Sequence, residues 1–592
     1  MSRLQPQSDV ASLLVDAASA PLACDAGLVT RFLADIETRS RQSSRDSGEQ
    51  SPINSAISQW RAAITPGNVI ADDDAAAYGR STLGSTRRVP VVLRPASADD
   101  IARCVSIANH FRIAVYPVSS GRNWGYGSAS PCADDCAVID LSRMNRILDF
   151  NADLGTVTLE PGVTQQQLWD FLEENGLPFC VPTHGGGPDC SIVGNALERG
   201  YGITPQADHF AGLMSLEAIL ADGSRYRSPL KELGASAVDG AFKWSIGPYL
   251  DGIFSQGNFG IVTQATIALA ARPRAVEAFF FEARSDADLE ALVAAVRRLT
   301  RKLGTAVTSV NLMNNLRVLS MTAPYPWDRS DRGCLSPAVV AELSGEYRIA
   351  AWTGAGALWG EPEVVRAARR IMKSELKPFV RRITTFGPRK LAAVGSLAKA
   401  APAGVRRWIE PRVSAAKGFL DVVTGKPSRV ALPLAYWKRP TPPDKSTALN
   451  PERDGCGLRW YAPLVPMDPS TVRHYVSAVH ETCGRHAMEP LITLTSLSDR
   501  CFDSTVPLIF DRSDAGQVSR AAACYQDLFT AGQAIGAVPY RFAIDQMAKV
   551  VDPDSTFWKT VSQLKNAVDP RGIIAPGRYS VRRHGVIDGG EA

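Results

Sequence analysis

The glycine-rich loop at residues 121–130 constrains the fold more than any other feature. The preceding stretch AVYPVSS reads as a strand, and GRNWGYGSAS follows it directly. A strand that ends in small residues and glycines lets several backbone N–H groups point into one cavity, which is what a pyrophosphate needs. The order of the glycines differs from the GxGxxG of a Rossmann fold. We expect the anion-binding residues of this loop to be Ser119, Ser120, Gly121, Arg122 and Asn123.

Three further glycine-bearing clusters follow along the chain. In GNALERGYGITPQADH, residues 194–209, glycines permit close approach of the backbone to a ligand, and the expected contacts are Gly194, Asn195, Glu198 and Gly200. Glu198 and Arg199 could instead form a surface ion pair. FSQGNFGIVTQATIAL is a glycine-punctuated turn that feeds a strand, with the candidates Gly260, Ile261 and Val262. The last cluster, IIAPGRYS, contributes Arg578.

Length and residue pattern predict more than one domain. A chain of 592 residues exceeds the size at which one hydrophobic core usually stops growing. Strands alternate with amphipathic helices over residues 89–273, which predicts a mixed α+β or α/β domain. We expect a second domain over 274–530, an N-terminal extension over 1–88 and a C-terminal segment over 531–592.

Charge argues against nucleic acid as a general partner. The net charge is +5, but residues 377–445 hold 15 Lys and Arg against 3 Asp and Glu, which leaves 50 against 57 elsewhere. A phosphate backbone requires a basic face on the main fold. The N-terminus lacks the order of a secretory signal and no window suits a membrane span, so we expect a cytoplasmic protein. Eleven cysteines without a CxxC pair predict neither a disulfide framework nor a metal site.

In this order, the four clusters resemble the FAD-binding domain of the vanillyl-alcohol oxidase and p-cresol methylhydroxylase family. GNALERGYG, GPYLDGIFSQGNFGIVT, LKNAVDPRGIIAPG and the pair Tyr540-Arg541 resemble the branch that oxidises 4-substituted phenols. The resemblance implies a two-domain α+β flavoenzyme with an FAD-binding domain over 89–273. It also implies a cap domain over 274–530 that shapes the substrate cavity, and a C-terminal segment that returns to the FAD domain. A homo-oligomer that passes electrons to dioxygen or a cytochrome is expected.

The resemblance also implies the chemistry. Tyr126, Tyr540 and Arg541 fall on the positions that surround the phenolic oxygen of the substrate in the family. A free phenol has a pKa of about 10, and a guanidinium with two hydroxyl donors in a dry pocket favours its phenolate. We expect a hydride to leave the benzylic carbon of a para-substituted phenol, which gives a quinone methide that water attacks.

Departures from the family concern the base and the substrate. The family carries an acidic residue near flavin N5, shortly before a glycine triplet. The corresponding stretch of this chain reads VPTHGGGPDC. Thr183 occupies that place and is expected to contact the flavin. His184 is the candidate base because an imidazole titrates near neutral pH, and Asp189 is a weaker candidate. Ile203 replaces a family tyrosine. An FAD-dependent oxidase or dehydrogenase of a non-phenolic hydroxy or natural-product substrate is therefore an alternative.

Attachment of the flavin is another departure. Family members often hold FAD covalently through a His or Tyr five residues before the proline of a motif that here reads LRWYAP. That position is Leu458, which cannot form such a bond, while Cys456 and Tyr461 would each need a shifted alignment. We expect non-covalent FAD.

The basic segment, about 377–450, is interrupted by prolines, which predicts short helices joined by turns. Its mixture of apolar and basic residues suits an anionic membrane surface or a partner protein. The interpretation that we favour is a solvated, packed excursion of the cap. A flavin-binding subunit with little chemistry of its own is a further alternative.

Overall fold

The computed structural model describes residues 51–71, 73–400, 402–441 and 447–580, so most of the predicted N-terminal extension lies outside the described residues. The chain divides into a unit that ends at Ser55 and a unit that begins at Ala56. The helices are α1 Pro52–Ala63, α2 Asp73–Ala76, α3 Ala98–Phe111, α4 Gln165–Glu174, α5 Ile192–Leu197, α6 Pro229–Glu232, α7 Leu289–Leu303, α8 Asn315–Thr322, α9 Pro337–Glu346, α10 Pro362–Leu376, α11 Pro388–Ala400, α12 Ala403–Val423, α13 Pro469–Arg485, α14 Ala515–Ala534 and α15 Thr556–Val568.

The strands belong to three sheets. They are β1 Val69–Ala71, β2 Val91–Leu93, β3 Val115–Val118, β4 Ala137–Asp140, β5 Ile147–Asn151, β6 Thr156–Leu159, β7 Leu213–Ile219, β8 Arg225–Arg227, β9 Ile261–Ala268, β10 Ala275–Ala283, β11 Asn311–Asn314, β12 Trp352–Gly360, β13 Val380–Phe386, β14 Cys456–Tyr461, β15 Leu464–Pro466, β16 Thr493–Ser496 and β17 Cys501–Asp511.

The first sheet has the order β1-β2-β4-β3, with parallel pairing among β2, β4 and β3. Its antiparallel edge strand β1 lies within the predicted extension 1–88, so the sheet begins before residue 89. The C-terminal segment returns to its other edge, where the Val115 N–H donates to Ile573 and the Ala575 N–H donates to Val115. This return brings the IIAPGRYS cluster beside the glycine-rich loop that follows β3.

The second sheet is antiparallel, with the order β5-β6-β9-β7-β8. Apolar side chains of α4 and α5 pack against it, including Leu168 and Leu172 at one-turn spacing. Helix α4 begins at Thr164, which forms with Gln167 the capping box that the sequence predicts. Both glycine clusters of residues 194–209 and 254–269 are thereby anchored to one core.

The third sheet has eight antiparallel strands in the order β13-β10-β12-β11-β16-β17-β14, with β15 paired to β17. Helices α7, α10, α13 and α14 supply apolar side chains to a core that covers one face of it. Helix α7 shows the expected periodicity, with Leu289, Leu292, Val296 and Leu299 buried, and burial of each such side chain contributes roughly 2 kcal/mol. The opposite face is covered by α12 at β10 and β12, and the rest of it can border a site.

The basic segment differs in part from the sequence prediction. Pro388 and Pro402 stand at helix starts, where a missing N–H is tolerated, but Pro411 lies inside the 21-residue helix α12. The prediction of short helices only is therefore wrong, because the segment also contains this long helix. Leu420 and Val423 of α12 pack on Ala278 and Ala357 of the cap sheet, so this part of the segment is a packed excursion. None of the helices in the described ranges is long and apolar enough to cross a membrane.

Candidate active site

A cavity lies between the glycine-rich loop, α5 and the C-terminal segment. The predicted site residues that line it are Ser119, Ser120, Gly121, Arg122, Asn123, His184, Gly194, Asn195, Glu198, Gly260, Val262, Arg541 and Arg578. The predicted residues outside its lining are Tyr126, Thr183, Gly200, Ile261 and Tyr540. Four clusters that lie apart in the sequence, the last of them more than 300 residues after the third, thus converge on one space.

Backbone conformation shapes this cavity. Gly121 adopts φ +65°, and Ser128 and Gln256, which also line the cavity, adopt left-handed φ values of 56° and 48°. Left-handed backbone is strained for residues with a side chain, and such strain concentrates at ligand sites. A Cβ atom on Gly194 would lie 2.7 Å from the Ser119 hydroxyl, so these two chain segments meet only because a glycine is present.

One carboxylate organises the positive charge of the cavity. Glu198 forms ion pairs with Arg578 and, at 3.7 Å, with Arg541. Arg578 also donates to the Tyr116 hydroxyl at 3.1 Å, and Arg541 donates to the Asn123 side-chain oxygen at 2.9 Å. The surface pair between Glu198 and its neighbour is not formed, since Arg199 donates to Ser255 instead. One carboxylate facing two guanidinium groups leaves a positive balance that suits an anion.

These residues fit FAD. Glycines and cations line the cavity, as a dinucleotide pyrophosphate requires. Two buried polar atoms of the lining, Ser128 Oγ and His184 Nε2, have no hydrogen-bond partner among the described residues. Buried polar atoms in native proteins are nearly always paired, so these two atoms point to a polar ligand.

Tyr126, Tyr540 and Arg541 come together beside this cavity. The Arg541 guanidinium lies 4.3 Å from the centroid of the Tyr126 ring, and the Ile544 N–H donates to the Tyr126 carbonyl at 2.9 Å, which ties the two segments. Burial raises the pKa of both tyrosine hydroxyls well above the ordinary value, and the charge of Arg541 only partly opposes it. Both tyrosines are therefore neutral hydrogen-bond donors at neutral pH, beside a permanent cation.

His184 is a weak base in this setting. Burial, with the nearby charge of Arg541, lowers the pKa of His184 to about 4, so its imidazole is neutral at pH 7. Its Nδ1 accepts from the Gly186 N–H at 3.2 Å. His209 lies 6.2 Å away between ring centroids, and burial lowers its pKa to about 3. Neither ring holds a proton readily.

The other departures from the family pattern have structural reasons. The Thr183 hydroxyl donates to the Val422 carbonyl at 2.9 Å, so it anchors the end of α12. Asp189 lies at the surface, where it pairs with Arg429 at 3.3 Å. Ile203 packs on the apolar cluster beneath α12. The basic segment thus covers the stretch where the family has its acid.

Leu458 packs in an apolar cluster with Trp124 and Ile509, and its N–H donates to the Thr82 carbonyl at 2.9 Å. Tyr461 points to the other face of β14, where its hydroxyl donates to the Leu528 carbonyl at 2.8 Å in the main cap core. Cys456 is buried, which raises the pKa of its thiol to about 12. None of the three offers an exposed nucleophile to the flavin.

Asp503 is a site residue that the sequence argument missed. It lies in β17 on the face opposite the core residues Phe502 and Val506, and it is 7% exposed. Its Oδ1 has no hydrogen-bond partner in the described part of the chain. Burial raises the pKa of Asp503 to about 7, against the opposing charge of Arg541. The available signal was an acid inside the apolar run CFDSTVPLIF.

A polar row on the cap sheet continues from Asp503. Ladder pairing places Asn311, Thr495 and Asp503 side by side, and Thr493 lies in the next row of the same face. Asn311 Oδ1 and Thr493 Oγ1 are also buried and without a partner among the described residues. Three unpartnered polar side chains on one face indicate a surface that borders a polar ligand.

Comparison with known proteins shows which proteins this chain is similar to. Residues 89–228 match the family model of an FAD binding domain. The chain is 36% identical over 544 residues to 1'-carboxy-chondrochloren decarboxylase of Chondromyces crocatus, covering 90% of this chain and 98% of the relative. It is 26% identical to the 4-cresol dehydrogenase [hydroxylating] flavoprotein subunit of Pseudomonas putida, over 90% and 96%.

Two solved structures share the fold. Substrate-bound p-cresol methylhydroxylase has a TM-score of 0.79 at 24% identity, covering 90% of this chain and 98% of that one. The 4-ethylphenol oxidase of Gulosibacter chungangensis has a TM-score of 0.79 at 21% identity, covering 91% and 98%.

The fold and the cavity define an FAD-dependent oxidoreductase with a cap domain. The chain belongs to the vanillyl-alcohol oxidase and p-cresol methylhydroxylase family, as the motifs of its sequence predict.

Proposed function

We propose that the protein oxidises a para-substituted phenol at its benzylic carbon. The observation that carries the proposal is the buried cluster of Tyr126, Tyr540 and Arg541 beside the FAD cavity. Two neutral hydroxyl donors and one guanidinium are the groups that a phenolate oxygen needs in a dry site. When bound, FAD supplies the two-electron acceptor for the hydride that leaves the substrate.

The residues of the chain divide the remaining work. Arg541 holds the phenolate oxygen by charge, while the tyrosine hydroxyls donate to it and fix the orientation of the ring. Glu198 and Asn123 hold the guanidinium in place through the contacts described above. We propose that Arg122, Arg578 and the glycine-rich backbone bind FAD, together with Thr183, Gly200 and Ile261 from the adjoining segments. We propose that this FAD is non-covalent, because Leu458 stands at the attachment position.

The electron acceptor and assembly follow from the same resemblance. The Pseudomonas putida relative is named a flavoprotein subunit, which supports an electron-accepting partner such as a cytochrome. Dioxygen is the other electron acceptor that we propose. We also propose that the protein forms a homo-oligomer. Reduced enzyme mixed with air or with cytochrome c separates the two, by the rate at which the flavin absorbance returns.

Turnover of 4-ethylphenol against 4-ethylanisole tests the phenolate. The two substrates share the reacting carbon, but the methyl ether cannot ionise. We expect the phenol to react at least about 100-fold faster, since charge stabilisation by one group in such a site contributes on the order of 10²-fold or more. Equal rates on the two substrates would contradict the proposal.

A second candidate function is oxidative decarboxylation, and the 36% identical decarboxylase favours it. In a phenol with a carboxylate on the carbon next to the benzylic one, hydride loss gives the quinone methide. The bond to the carboxylate then breaks, its electrons form the alkene and restore the ring as phenolate, and CO2 leaves. The oxidant is the same FAD, and CO2 loss replaces attack by water.

Arg317 supports this second candidate. It lies in the first turn of α8, directly after the strand that carries Asn311. Burial lowers the pKa of Arg317 to about 10, and no carboxylate lies within ion-pair distance of it among the described residues. Its Nε also has no partner in that part of the chain. A buried cation in this setting fits a carboxylate supplied by the substrate.

Comparison of 3-(4-hydroxyphenyl)propanoate with 4-ethylphenol tests the second candidate. Wild-type protein should release CO2 from the carboxylate in step with 4-vinylphenol formation. Arg317→Gln should raise KM for the carboxylate about tenfold and leave 4-ethylphenol unchanged. A protein that oxidises 4-ethylphenol but releases no CO2 from the carboxylate excludes the decarboxylase function and keeps the first.

A further inference from the structure

A phenol that binds as phenolate must hand its proton to a group in the site. This step rests on the proposed oxidation of a phenol. Arg541 cannot accept a proton, and Tyr126 and Tyr540 hold theirs because burial raises their pKa values. His184 and His209 have pKa values of about 4 and 3, so a proton on either ring is unstable at neutral pH. None of these five groups is a good acceptor.

Asp503 has the position of a proton acceptor, and one of its carboxyl oxygens can still accept a hydrogen bond. Its carboxyl lies on the polar row of the cap sheet, and its buried Oδ1 has no partner within the described residues. The titratable groups that interact electrostatically with it are Arg541 and Tyr540 of the C-terminal segment, Tyr126 of the glycine-rich loop, Tyr201 after α5, Cys501 of its own strand and, from the core side of the sheet, Tyr475 of α13. The charge of Asp503 raises the pKa of the Tyr540 hydroxyl, and that of Arg541 lowers it.

Charge balance makes this transfer favourable. Arg541 is the cation that faces Asp503, and Arg541 is already shared with Glu198. A phenolate and an ionised Asp503 beside this one guanidinium would be a like-charge pair in a buried site. Moving the phenolic proton to Asp503 leaves the net charge of the site unchanged.

We propose that Asp503 is the proton acceptor for the phenolic hydroxyl of the substrate, with the Tyr540 hydroxyl as relay. The O–H bond of the phenol breaks and its proton passes to the Tyr540 oxygen, while the Tyr540 proton passes to Oδ1 of Asp503. The phenolate keeps the electron pair of the broken bond, and nothing is oxidised or reduced in this step. Asp503 must be ionised before the substrate binds.

The test uses binding and turnover in the FAD-loaded protein. At pH 8 the wild type should bind 4-bromophenol as phenolate, seen in its ultraviolet difference spectrum, without releasing a proton to a weak buffer. Asp503→Asn should bind the neutral phenol. It should oxidise 4-ethylphenol at least about tenfold more slowly than the wild type, and a ring-difluorinated 4-ethylphenol, which is ionised before binding, at nearly the wild-type rate.

Matched controls separate the possible outcomes. Asp499→Asn removes a carboxylate that pairs with Arg301 in the turn before the same strand, and it should behave as the wild type. Equal slowing of both phenols in Asp503→Asn overturns the acceptor role and leaves phenol oxidation standing. Failure of the wild type to bind or oxidise any 4-alkylphenol overturns the proposed function and, with it, the acceptor role. Retained flavin absorbance in Asp503→Asn shows that the variant is folded. Oxidation of the difluorinated phenol by Asp503→Asn at nearly the wild-type rate supports the proposal.

Discussion

The two sides of the site are built in different ways. The side that we propose binds FAD consists of short glycine-bearing clusters whose backbone conformation and close approach, as at Gly121 and Gly194, shape the cavity. The cap side is a sheet face whose side chains Asn311, Thr493 and Asp503 come from three strands. The first kind of site is fixed by local conformation and the second by strand register, since a slip of one residue would turn Asp503 into the core.

Because of this difference, the two sides of the site tolerate amino-acid substitutions to different degrees. A pyrophosphate cavity tolerates little change, because a Cβ in place of a glycine hydrogen meets neighbouring atoms. The polar row can exchange side chains without altering the ladder, so substrate and proton acceptor can change on an unchanged scaffold.

The largest effect is expected where the two sides meet, at Arg541. Arg541→Ala removes the cation that would hold the phenolate and leaves the Asn123 side-chain oxygen without its donor. We expect kcat/KM for 4-ethylphenol to fall by about 100-fold or more, with FAD still bound. Arg500→Ala, which removes an exposed guanidinium before β17, is the control and should keep wild-type activity. Loss of FAD from Arg541→Ala would instead assign Arg541 to the cofactor side.

A smaller effect, confined to the FAD side, is expected for Gly121→Ala. Gly121 has φ +65°, and its Cβ would lie 3.1 Å from the Ala129 side chain in the cavity loop. Left-handed backbone costs an alanine roughly 1–2 kcal/mol, and a loss of about 1.4 kcal/mol from the loop would lower FAD affinity about tenfold in a titration of apoprotein. Gly176→Ala has φ +63° and open space around its Cβ, and should lose similar stability without losing FAD affinity. Equal FAD affinity in the two variants would contradict the assignment of the loop.

The same contrast explains which parts the sequence predicts. The motifs around Gly121, Gly194 and Arg578 each lie within one short segment, so the sequence alone reveals them. The spacing of its leucines likewise predicts helix α7. Glu198 was assigned to the cavity, but its pairing with Arg541 and Arg578 depends on the return of the C-terminal segment. Asp503 depends on the pairing of β16 with β17, which periodicity within one strand does not reveal. Pro411 lies inside α12 against its helix propensity, and the later turns of that helix pack on the cap sheet, which the spacing of prolines does not reveal.

Stability against pH tests the cap side without substrate. A carboxyl whose pKa rises from 3.8 to about 7 on folding binds more protons in the folded state between those values. Its contribution to stability is therefore complete below about pH 4 and is lost as the pH rises to about 7, by up to about 4 kcal/mol. Asp503→Asn should lack this loss and be more stable than the wild type at pH 8. Denaturant titrations at pH 4 and pH 8 measure it, and a wild type with a larger loss above pH 7 than below it would contradict the assignment.

The smallest effect concerns the attachment of FAD, which we propose to be non-covalent. Leu458 is buried with Trp124 and Ile509, so no nucleophile faces the flavin from this position. Acid precipitation of the wild type should leave all the flavin in the supernatant. Leu458→His places an imidazole there and should retain a fraction of the flavin on the protein, whereas Leu458→Met, of similar volume, should retain none and lose less than about 1.5 kcal/mol of stability. Flavin that precipitates with the wild type would mean that the cap side holds FAD through a different residue, and peptide mapping of the yellow fragment would identify it.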